Sequence, residues 1–70
     1  MCDLREVILE GLTTAEEGKI AKAAANIEVY LHNPVGIGEH PDVLAAISSE
    51  LDIIAEAKER VEVINMFRKS

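Results

Sequence analysis

The sequence predicts an all-α fold: an antiparallel helical hairpin with a short N-terminal helix, joined to further copies in an oligomeric helical bundle. Three observations carry this reading. From Pro41 to Phe67, Leu44, Ile47, Leu51, Ile54, Val61 and Ile64 recur at steps of three, four or seven, which lays them along one helical stripe. Asp52, Glu56, Glu59, Arg60 and Glu62 fall largely outside that stripe. A helix of about 27 residues runs about 40 Å, longer than a monomer of this size requires. Finally, Asn33 to His40 interrupts two helical patterns with a proline and two glycines.

Taken in order, Asp3 and Glu6 have the spacing of a capping box, and Leu4, Val7, Ile8 and Leu12 follow at helical spacing. A first helix is therefore expected over about 3–12. Gly11 weakens it, and Thr14 with Glu17 forms a second capping box. From there Ile20, Ala23, Ala24, Ile27, Tyr30 and Leu31 form the stripe of a second helix, over about 14–32. Ile20 lies roughly 160° around the axis from Leu4, so one straight helix through both would carry two opposed apolar faces. A break near Gly11–Thr14 removes the conflict; the alternative is one long helix sandwiched between neighbours.

Asn33-Pro34 ends the second helix, because the residue before proline is pushed out of the α region. In the connection, Gly36 and Gly38 are free to take positive φ, and Val35 and Ile37 are expected to fold back over the end of the hairpin. Pro41 opens the last helix, over about 41–67, at the position where proline is best tolerated. Arg68 and Lys69 complement the dipole at its end. This helix outruns the second by roughly 12 Å, and the first helix would cover the excess near Val61, Ile64 and Phe67. Residues 1–70 make a single domain.

Composition limits what such a domain can be. The chain is 49% apolar but only 3% aromatic, so its core must be built from Ile, Leu, Val and alanine. Seventy residues give a marginal core unless disulfides, a metal or association add to it. Cys2 is the single cysteine, beside the initiator Met, and reads as an incidental thiol. Association is left, and a symmetric homodimer is the expected form. Thirteen acidic against seven basic residues give a net charge of −6, which disfavours nucleic acid and anionic membrane as partners. With no leader pattern and no apolar run of about 20 residues, the expected location is the cytoplasm, or the host cytoplasm for a viral protein.

Candidate sites are few. His32 and His40 flank the connection and, with Glu39 or Asp42, offer donors for a divalent metal. Their spacing is not that of a helical pair, and both suit helix-end roles, so no metal or other cofactor is assigned. Gly36-Ile37-Gly38 lacks the Lys-Ser/Thr of a phosphate-binding loop and reads as a turn. Glu56, Glu59 and Glu62 wind onto a solvated face among Lys58 and Arg60. No catalytic residue emerges, and the chain is expected not to be an enzyme.

The run Tyr30-Leu31-His32-Asn33-Pro34-Val35-Gly36-Ile37-Gly38-Glu39-His40-Pro41-Asp42 resembles the connection in small, uncharacterised helical-hairpin proteins of T4-like tailed bacteriophages. The likeness covers about the last 45 residues and is most specific over Asn33–Pro41. It implies a hairpin fold and a viral setting, and transfers no activity. The functional expectation is an oligomeric protein-interaction or structural module, a viral accessory factor included. A metal- or small-ligand-binding bundle is the alternative, and DNA mimicry by the acidic surface a further one.

Overall fold

The computed structural model describes residues 3–32 and 42–69. Two helices, α1 (Leu4–His32) and α2 (Val43–Lys69), pack side by side as an antiparallel hairpin of 55 × 19 × 14 Å. The expectations for Cys2, Val35, Gly36, Ile37, Gly38, His40 and Pro41 fall outside the described residues.

Each helix begins on an aspartate. Asp3 accepts the Arg5 amide at 3.1 Å on Oδ1, and its carbonyl accepts the Val7 amide at 3.0 Å. Asp42 does the same for α2, taking the Ala45 amide at 2.9 Å on Oδ1 and the Ala46 amide at 3.0 Å on its carbonyl. These bonds satisfy amides that the first turn leaves unpaired. α2 therefore starts at Val43, two residues later than the sequence pattern suggests, and ends at Lys69.

The expected break near Gly11–Thr14 is absent, and the two N-terminal helices are one helix of 29 residues. Thr14 is no cap; its hydroxyl approaches the Glu10 carboxylate at 3.5 Å. The Thr13 hydroxyl donates to the Leu9 carbonyl at 2.9 Å, a back-bond that leaves the helical turn closed. The physical reason for continuity lies in α2. At about 40 Å it runs beside the whole of α1, which is about 43 Å long, so a straight α1 covers it without a third element. The two opposed apolar faces that a straight helix implies are both present. One meets α2, and the other leaves Leu4, Val7, Ile8 and Leu12 exposed.

The contact between the helices follows a heptad. Along α1 the covered positions are Leu9, Thr13, Glu16, Ile20, Ala23, Ile27 and Tyr30, at alternating steps of four and three. Along α2 they are Val43, Ile47, Glu50, Ile54, Ala57, Val61, Ile64 and Arg68, with the same alternation. Asn26, Ala46 and Asn65 are half-buried beside them. Only Ala23, Ala57 and Ile64 are buried apolar residues among those described, so the seam is thin. Of the stripe expected from sequence, Ile47, Ile54, Val61 and Ile64 lie in this seam. Leu44 and Leu51 do not: they are 82% and 52% exposed, because the seam runs through Val43 and Glu50.

Gly11 and Gly18 stand on the exposed outer side of α1, where an added Cβ would meet no atom within 4 Å. Replacing either with alanine is expected to raise the unfolding free energy by about 0.5–1 kcal/mol. A urea titration reads this directly, and unchanged midpoints for both variants would contradict a continuous α1.

Candidate functional site

The most unusual side chain in the seam is Glu16, a carboxylate that is only 3% exposed. Heptad spacing carries it inward toward α2. Arg60 reaches across from α2 and donates from Nε to Glu16 Oε2 at 2.9 Å. Lys19, one turn on in α1, approaches the same oxygen at 3.3 Å. The other oxygen, Oε1, is buried without a hydrogen-bond partner among the described residues. The hydrogen bond from Arg60 does most to hold the Glu16 pKa below its ordinary 4.5; loss of solvent opposes this, and Lys19 acts with Arg60.

A second polar cluster closes the end of the hairpin where α1 begins and α2 ends. Arg68 turns across to α1, donating from Nε to Glu6 at 3.1 Å and from Nη2 to Glu10 at 3.0 Å. Its Nη1 donates to the Thr13 hydroxyl at 3.1 Å and to Asn65 Oδ1 at 2.7 Å. Four of the five guanidinium protons are thereby used, and the planar fork holds three successive turns of α1 against α2. The Arg5 side chain also donates to the Phe67 carbonyl at this end. Arg68 thus makes tertiary bonds, beyond the dipole role that its place in the sequence suggested.

Beside the seam, one side of the hairpin is creased by two shallow grooves. Leu12, Arg60, Val63 and Ile64 line the first, nearer the termini. Lys19, Lys22, Asn26, Glu50, Ile53 and Glu56 are among the residues that line the second. Twelve large apolar side chains among the described residues are 42–82% exposed, and Ile8, Leu12, Val29, Ile53, Val63 and Phe67 belong to this side by their heptad positions.

The candidates read from sequence stand apart from these features. His32 is exposed; its Nδ1 lies 2.8 Å from the Glu28 carbonyl, which can only accept, so that nitrogen carries the proton. Glu56, Glu59 and Glu62 are all exposed, with Glu56 on the rim of a groove. Among the described residues no three His, Cys, Asp or Glu side chains are grouped to hold a metal ion. Likewise, no helix there is long and apolar enough to cross a membrane. What sequence reasoning missed is the polar content of the seam, Glu16, Glu50 and Arg68, and the reach of Arg60 into it from the flank. The available signal was the unbroken four-three spacing through the three seam positions.

Comparison with known proteins adds no relative: no family model matches the chain, and neither does any curated protein or solved structure.

Two outcomes follow from the polar seam. Replacing Arg68 with methionine keeps the apolar stem and removes four hydrogen bonds; a loss of about 1–2 kcal/mol is expected, with faster amide exchange in the last turns of α2. Equal exchange in both proteins would exclude the closing role. The second concerns pH. Because folding lowers the Glu16 pKa, its ionised form stabilises the hairpin above pH 4.5, and this contribution disappears as pH falls through the lower folded value. Between about pH 5 and pH 3, Glu16→Gln should lose less stability than the parent chain. Parallel losses in chemical denaturation would show that Glu16 carries no such linkage.

Proposed function

We propose that this chain is a small, acidic, non-enzymatic interaction or structural module that works as a homodimeric helical bundle. The observation that carries the proposal is the imbalance of the hairpin: twelve large apolar side chains lie exposed against three buried apolar residues, among those described. The accessible surface supports it quantitatively. A compact monomer of 7.6 kDa would expose about 4,300 Å² by size scaling. This chain exposes 5352 Å². The excess, about 1,000 Å², is comparable to the roughly 800 Å² that each partner buries in a standard protein interface.

Several observations favour association over catalysis. The buried carboxylate Glu16 is engaged by two cations, and His32 is exposed at a helix end, so neither is poised as an acid or base. The resemblance of the Asn33–Pro41 connection to T4-like phage hairpin proteins favours a viral accessory role, exerted on a host protein in the host cytoplasm. In that reading the dimer provides the rigid body, and its acidic outer surface suits a basic partner.

Light scattering on the purified chain should give twice the 7.6 kDa chain mass, and the melting temperature should rise with protein concentration. A folded monomer at high concentration, with a concentration-independent melting temperature, would overturn the proposal.

A further inference from the structure

We infer that the dimer forms through the grooved side of the hairpin, with both connections at the same end, so that α1 of each copy lies across α2 of the other. The inference rests on the homodimer reading and adds to it a surface and an orientation. Each helix carries a second four-three series beside its seam, as a helix must when it touches two neighbours. In α1 it runs from Ile8 and Leu12 through Lys19 and Lys22 to Val29; in α2 it runs from Ala46 through Ile53 and Glu56 to Val63 and Phe67. Both series border the same two grooves.

The opposite side of the hairpin is poorer in apolar residues and richer in acid. Its exposed large side chains are Val7, Leu31, Leu44 and Leu51, and its heptad positions hold Glu10, Glu17, Glu28 and Glu62 against Lys58 and Lys69. Two such sides would repel. On the grooved side Arg60 and Lys19 are both paired with Glu16, and Lys22 and Glu56 carry opposite charges. Glu16 stands opposite Arg60, and Arg5 opposite Phe67. That register puts Leu12 level with Val63, Ile8 within a turn of Phe67, Lys19 level with Glu56 and Lys22 level with Ile53.

A two-fold axis along the hairpin leaves every residue at its own level and exchanges α1 for α2. Leu12 of one copy then meets Val63 of the other, and Lys22, less than a turn from the level of Glu56, reaches toward that carboxylate, each contact occurring twice. The reversed arrangement, with connections at opposite ends, lays α1 on α1. Lys19 and Lys22 sit near the middle of that helix, so the lysines of both copies would meet at the axis. Charge therefore selects the first arrangement.

Sedimentation equilibrium on full-length variants tests this, with helicity by circular dichroism confirming that each remains folded. Leu12→Asp and Val63→Asp, at exposed positions, should sediment as monomers, whereas Leu51→Asp on the opposite side should remain a dimer. Lys22→Glu and Glu56→Lys should each weaken the homodimer Kd about tenfold or more. An equimolar mixture of these two variants should recover dimer, because the opposite charges then face one another between chains. A dimer that survives Leu12→Asp but is lost in Leu51→Asp would overturn the surface while leaving the homodimer reading intact. Failure of the mixture to recover would overturn the orientation, as would parent assemblies larger than a dimer. A monomeric parent would remove the reading on which both rest.

Discussion

The pairing of Glu16 with Arg60 is the interaction on which the geometry of the hairpin depends. A carboxylate withdrawn from water is tolerated only where a cation and hydrogen bonds replace the solvent it gives up. Here the cation lies on the other helix, 44 residues along the chain. Sliding α2 by one heptad would move Arg60 away from Glu16 and set an apolar residue in its place. The same slip would separate Arg68 from Glu6, Glu10 and Thr13. Apolar contacts alone would discriminate little between these registers, since the seam alternates aliphatic residues with Ala23 and Ala57 at similar spacing. Polar residues in the seam thus exchange some burial for uniqueness, as buried polar groups do in coiled coils.

The consequence of that exchange is a molecule with little core of its own. With Thr13, Glu16, Glu50 and Arg68 occupying seam positions, aliphatic side chains that would otherwise be interior lie on the flanks. Leu12, Ile53 and Val63 are half-exposed, and Phe67 more so. At about 25 cal/mol per Å², such area is a substantial driving force for association in a chain of this size. Its arrangement is also orderly. The second four-three series on each helix matches the geometry by which bundle helices contact two neighbours, and it shares a side with the cations and carboxylate that could fix orientation.

The same design explains how the ends are held. At the terminal end of the hairpin the Arg68 guanidinium reaches three turns of α1. That end also carries the Arg5 bond to the Phe67 carbonyl. A two-helix pair has no surrounding structure to suppress fraying, so cross-links of this kind do for its ends what packing does in larger domains.

Legible in the sequence alone were the all-α class, an antiparallel hairpin closed around Asn33–His40, the cap at Asp3, the solvated row Glu56–Glu59–Glu62 and the inward set Ile47, Ile54, Val61 and Ile64. Those features are local: side-chain spacing, capping chemistry and proline geometry act within a few residues. The continuity of α1, the exposure of Leu44 and Leu51, and the burial of Glu16 were decided only by tertiary structure. Gly11, the Thr14–Glu17 spacing and the offset between the Leu4 and Ile20 stripes each pointed to a break, and none of these local signals registers that Glu16 continues the inward series. Whether a glutamate can enter a seam depends on a cation brought to it from elsewhere in the chain, and that distance vanishes only when the hairpin closes.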